Sequence, residues 1–83
     1  MSFSQSTTAQ TLSQLDTHSR GQVVELTCEP HLNERLMELG IIPGEVITVW
    51  GRGFFSEPVF VEVNQTQIAL RETEAACVRI EKL

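Results

Sequence analysis

Arg35-Leu36-Met37-Glu38-Leu39-Gly40-Ile41-Ile42-Pro43-Gly44 is the stretch that sets how this chain is read. Leu32, Leu36 and Leu39 recur at helical spacing and form one apolar stripe, so His31 to Leu39 reads as a short helix, with Pro30 or Asn33 near its start. Gly40 stands where a helix closes in the left-handed conformation, which lacks a steric penalty only without a Cβ. Pro43-Gly44 has the order of a type II turn, proline presetting φ and glycine accepting a positive value. Glu45 to Trp50 is rich in β-branched residues and reads as a strand. The stretch is therefore a joint: helix, stop, turn, strand.

Working outward, Gln22 to Thr27 alternates and reads as a strand with Gln22, Val24 and Leu26 on its better-buried face. Ser19-Arg20-Gly21 reads as the turn before it. Thr11 to Leu15 fits one helical turn with Leu12 and Leu15 on one side. Met1 to Gln10, rich in Ser, Thr and Gln, reads as a disordered N-terminal tail. Downstream, Gly51-Arg52-Gly53 and Phe54-Phe55-Ser56-Glu57-Pro58 make a loop; adjacent phenylalanines in an extended segment cannot both face inward, so one is expected outside. Val59 to Val63 is a strand with its valines on one face, and Asn64-Gln65 a two-residue hairpin turn. Thr66 to Leu70 is a fourth strand, Arg71 to Ala76 a single 3₁₀ turn, and Cys77 to Glu81 a fifth strand. The expected fold is mainly β: a small five-stranded SH3-like barrel with one or two short helices, spanning residues 11–83 as a single domain.

The chain has 83 residues and a net charge of −5, eleven acidic side chains against six basic. One modest core is affordable at this size, and a deep substrate cleft beside it is not expected. The basic residues are scattered (Arg20, Arg35, Arg52, Arg71, Arg79, Lys82), so binding to nucleic acid or an anionic membrane by bulk charge is disfavoured. No apolar run approaches the ~20 residues of a membrane helix, and Met1 to Gln10 has neither the basic nor the apolar region of a signal peptide. The expectation is a cytoplasmic protein with reduced thiols.

Catalytic sets are missing: no nucleophile elbow, no phosphate loop, no H-E-x-x-H, so the chain does not read as an enzyme. Cys28-Glu29-Pro30-His31, with Glu25, Glu34 and Glu38 nearby, is the metal candidate, Fe or Zn being the ions in question. Two Cys and two His in all fall short of a closed four-ligand site, and the plainer reading is a packed Cys28 and a solvent-facing His31. Cys77 reads as a buried thiol. Arg35 and Glu38 read as a helix-surface pair or as a charged handle beside a partner groove. Glu57, Glu62, Glu72 and Glu74 read as solvated surface charge. Trp50, Phe54, Phe55 and Phe60 serve either packing or an aromatic contact surface.

Three places resemble the FeoA family, the small cytoplasmic partners of the bacterial ferrous iron transporter FeoB. They are the joint Arg35 to Gly44, the strand start Glu57-Pro58-Val59-Phe60-Val61-Glu62-Val63, and the ending Ile68-Ala69-Leu70-Arg71-Glu72-Thr73-Glu74-Ala75-Ala76. Where the family usually reads Pro-Leu-Gly-Asp-Pro, this chain has Phe54-Phe55-Ser56-Glu57-Pro58. The resemblance implies an SH3-like barrel that supports ferrous iron uptake by binding and modulating FeoB through protein contact. Apolar residues left over once the barrel is filled place the partner face at Arg35, Met37, Glu38, Ile42 and Pro43, with Phe54, Phe55 and Pro58. The alternative is a metal carrier or sensor, since similar SH3-like domains end the iron-dependent repressors. Open strand edges also permit weak self-association.

Overall fold

A computed structural model of the chain describes residues 10–83. The expected tail lies outside that range apart from Gln10, which instead begins a strand. In chain order the elements are β1 (Gln10–Thr11), a 3₁₀ turn (Leu12–Gln14), β2 (Arg20–Leu26), α1 (Pro30–Glu38), β3 (Val46–Arg52), a 3₁₀ turn (Phe54–Ser56), β4 (Val59–Val63), β5 (Thr66–Leu70), α2 (Glu72–Ala75) and β6 (Val78–Lys82). The strands form one antiparallel sheet in the order β1-β6-β2-β3-β4-β5. The short β1, paired through Gln10–Ile80 and Thr11–Arg79, is the strand beyond the five expected. Arg71 to Ala76 carries a turn of α-helix, not 3₁₀, because the Ala75 and Ala76 N–H groups reach four residues back, to Arg71 O and Glu72 O.

Leu12, Leu15, Val23, Leu36, Ile41, Ile47, Val49, Val59, Val61, Val63, Leu70, Ala75, Val78 and Ile80 are buried, so the core is wholly aliphatic. The alternations expected in β3 and β4 hold: Ile47 and Val49, then Val59, Val61 and Val63, face in, while Trp50, Phe60 and Glu62 lie on the other face. The alternation read in β2 does not. Val23 faces the core and Val24 is exposed. The cause is a bulge: Val23 pairs with Ile80 and Glu25 with Arg79, leaving Val24 as an extra residue. One inserted residue reverses the faces on either side of it, so Val23 and Leu26 both reach the core. A second bulge lies at Trp50, between the Val49–Val61 and Gly51–Phe60 pairs.

Candidate functional site

The joint is built as its sequence dictates. Pro30 opens α1, and the Glu29 carboxylate caps it by accepting from the Leu32 N–H at 2.7 Å, which satisfies one of the unpaired donors at a helix start. Leu36 is buried, Leu32 packs against the core, and Leu39 at the helix end is left partly exposed. Gly40 closes the helix at φ 101°, Ile41 plunges into the core, and Ile42 turns out. Ile42 O accepts from Glu45 N–H at 3.0 Å across Pro43-Gly44, with Gly44 at φ 99°. Gly44 N–H donates to Val23 O and Val23 N–H to Glu45 O, both at 2.8 Å, so the turn is pinned to β2.

This pinning brings Met37 and Pro43 together. With Val24, Glu25, Leu26 and Asn33 they line a groove of about 280 Å³. Val24, Met37, Leu39, Ile42 and Val46 all remain exposed, and of these Val24 and Met37 line the groove. Asn33 Nδ2 donates to Leu26 O at 3.4 Å, whereas its Oδ1 is buried with no partner among the described residues. A buried acceptor left unpaired costs free energy that an incoming N–H would recover. Val24 and Asn33 are absent from the sequence reading of this face. The bulge that exposes Val24 leaves no mark in a two-residue alternation. Arg35 and Glu38 are exposed on α1; the ion pairs among the described residues are Arg52–Glu72 and Arg79–Glu25.

Phe54, Phe55 and Pro58 fall on a different part of the molecule and line neither this groove nor the next. Both phenylalanines are outside, Phe54 at 90% and Phe55 at 100% exposure, where the sequence required only that they not both face inward. Phe55 and Ser56 take positive φ of 59° and 67°, so the segment curls into a tight turn and frees both rings from the extended geometry. The turn is braced. Gly53 N–H donates to Pro58 O at 2.9 Å, and Glu72 N–H to Glu57 Oε2 at 2.7 Å. Arg52 donates to Ser13 O, Leu15 O and Glu72 Oε1 at 2.8, 2.9 and 3.3 Å. The four loop and strand glutamates are therefore not merely solvated. Glu57 and Glu72 fasten the turn, Glu74 Oε1 accepts from Arg71 N–H, and Glu62 Oε1 accepts from Trp50 Nε1 at 2.7 Å.

A second groove, of about 390 Å³, lies on the outer face of β3, β4 and β5, lined by Trp50, Phe60, Val61, Gln67, Ile68 and Ala69. The His18 ring stands edge-on to Trp50 with centroids 6.2 Å apart.

The metal candidate does not assemble. Cys28 and Cys77 are joined as a disulfide, their Cα atoms 5.0 Å apart, where reduced thiols were expected. His31 is exposed on the first turn of α1. Among the described residues no three His, Cys, Asp or Glu side chains come together to hold an ion. In this state the residues do not fit a structural metal site, which wants four donors.

The FeoA domain family matches residues 10–82. No curated protein sequence matches the chain. Among solved structures, the Stenotrophomonas maltophilia FeoA complexed with zinc is 35% identical over 88% of this chain and 91% of its own, with a TM-score of 0.73; it is described as an SH3 domain protein and proposed as a bacterial ferrous iron transport activating factor. The FeoA protein of Chlorobium tepidum is 29% identical over 88% of this chain and 70% of its own, at a TM-score of 0.83. A manganese-dependent transcriptional repressor shares the fold alone: 18% identity, 90% of this chain, 42% of the repressor, TM-score 0.81.

Proposed function

The chain belongs to the FeoA family, with its SH3-like fold, and from that premise we propose that it is a small cytoplasmic accessory protein of ferrous iron uptake that binds FeoB and modulates it by contact. Residues 11–83 act as one domain in this reading. Contact, not catalysis, is the mode of action. The observation that carries it is the groove lined by Val24, Leu26, Met37 and Pro43, with the Val24 and Met37 side chains left exposed. A small soluble domain that leaves Val24, Met37, Leu39, Ile42 and Val46 in water incurs a solvation cost that a partner surface would remove. Arg35 and Glu38 flank that surface as charged contacts, and the Phe54–Pro58 turn supplies a second contact. No helix of the described residues is long and apolar enough to cross a membrane, which fits an adaptor that meets the transporter from outside the bilayer.

The test is an NMR titration of the labelled chain with the cytoplasmic part of FeoB from the same source, with and without guanine nucleotide and Fe²⁺. Shifts gathered on Met37 to Gly44 and Phe54 to Pro58 are expected. If Met37→Asp and Phe55→Asp each leave binding intact in a folded domain, the face is misplaced.

One observation favours a second reading, a metal carrier or sensor: the zinc complex of the S. maltophilia relative. Here Cys28 would serve only after reduction of its bond to Cys77, with His31 as a further ligand. Zinc and ferrous titration of the reduced chain against a Cys28→Ser, His31→Ala double variant checks it; equal binding by both ends the carrier reading.

A further inference from the structure

We propose that the open edge of β5, with the Trp50–Phe60 groove beside it, docks an extended segment of another polypeptide that carries a large apolar side chain and, two residues away, a lysine or arginine. The inference rests on the reading of this chain as a protein-contact module, and it names a surface that reading does not use.

The first observation is where the aromatic side chains lie. Trp50, Phe54, Phe55 and Phe60 all sit on β3, β4 and the turn between them, and none is in the core. Trp50 is 49% and Phe60 44% exposed. Interfaces are enriched in such rings, which bury much area for little lost rotamer freedom. The second observation is the edge. Among the described residues β5 pairs with β4 only. Asn64 and Gln65, at φ 52° and 66°, make the two-residue turn, and Val63–Thr66 closes it. In such a hairpin the closing pair exchanges both hydrogen bonds, and every second pair does so after it. Val61–Ile68 and Val59–Leu70 are therefore the bonded pairs, and the N–H and C=O of Gln67 and Ala69 point away from β4. Thr66-Gln67-Ile68-Ala69-Leu70 has no lysine, proline or charge, the devices that usually blunt an edge.

The third observation says what fits. Ala69 lies opposite Phe60 and Gln67 opposite Glu62. A residue added opposite Ala69 stands on the same face, over a methyl group and beside the Phe60 and Trp50 rings, so a large apolar side chain fills the groove. The next same-face residue stands by Gln67 and Glu62. Glu62 is the one charge on that face of β3, β4 and β5 (Val46, Thr48, Trp50, Phe60, Glu62, Gln67, Ala69), and only its Oε1 is taken by Trp50. A cationic side chain complements it. A second copy of this chain is a poorer occupant. Paired edge to edge, β5 presents only Gln67 and Ala69 to that face and leaves the groove empty.

The probe is a capped heptapeptide, TVTLTKT, titrated into the ¹⁵N-labelled chain, with Leu→Asn and Lys→Glu versions as controls. Saturable shifts are expected at the Gln67 and Ala69 amides and the Trp50 indole N–H. Each control should bind about threefold to fivefold more weakly, the size of one cross-strand pair. Ala69→Pro removes an outward donor at an edge position that tolerates proline and should abolish binding. Phe60→Ser, which leaves the edge intact, should weaken it. No shift up to millimolar peptide, or equal binding by Ala69→Pro, overturns the proposal. Concentration-dependent broadening of β5 without peptide would make the occupant a second copy, and overturns it too. The FeoB titration separates the two readings. Shifts at Met37 to Gly44 in both wild type and Ala69→Pro, with no peptide effect, keep the transporter contact and sink this site. Peptide binding at β5 without any FeoB shift does the reverse.

Discussion

Arg52, read from its flanking glycines as part of a loop, ends β3 opposite Val59 and holds more together than that reading suggests. Its guanidinium spans the backbone carbonyls of Ser13 and Leu15 and the Glu72 carboxylate, with its side chain 21% exposed. Charge-assisted bonds to carbonyls are worth more than neutral ones, and their loss strands acceptors that had a partner. Arg52→Ala should therefore cost about 2 kcal/mol in urea unfolding and loosen the Phe54–Ser56 turn, visible as faster amide exchange there. Leu36 gives a contrasting case. It is an apolar side chain at the centre of the joint, buried to 1% exposure, and Leu36→Ala should cost about 3 kcal/mol through lost transfer energy plus a cavity. The Leu36 role is legible from helical spacing. The Arg52 role is not, because residue type states that a cation is present but not which carbonyls lie within its reach.

Among the elements, the bond between Cys28 and Cys77 ties the end of β2 to the joint between α2 and β6 across a sequence separation of 49. Closing so long a loop restricts the unfolded chain. A Cys28→Ser, Cys77→Ser double variant should lose about 2–4 kcal/mol against the oxidised chain, and the wild type in reductant should unfold with the variant. The helix–turn–strand joint and the β3 and β4 faces could be read from the sequence, because spacing, Gly40 and Pro43-Gly44 act locally. What could not be read depends on partners distant in sequence. The bulge at Val24 is fixed by β6, and β1 exists only because Ile80 and Arg79 are there to pair with it. The candidate groove follows the same division: Met37 and Pro43 were legible in the joint, whereas Val24 and Asn33 join it only through the bulge and the packing of α1 on β2.

At the scale of the whole molecule, aliphatic and aromatic side chains are divided between inside and outside. Among the described residues leucine, isoleucine, valine and alanine fill the interior, and the aromatic rings and Met37 stay outside. Phe55, fully exposed, can thus be exchanged almost without structural cost: Phe55→Ser should move stability by less than about 0.5 kcal/mol while lowering affinity for a partner that uses the turn. Calorimetry of the free and bound chain separates the two effects. The same division has an optical side. The chain has a single tryptophan and no tyrosine, and Trp50 stands half in water with its indole N–H held by Glu62. Its ultraviolet emission issues from one spot on the surface, while the interior is dark. Unfolding by heat or urea should hardly change the colour of that light. Anything that settles over the β3–β4 hairpin should turn it blue, so the protein carries a built-in lamp for occupancy that is nearly blind to denaturation.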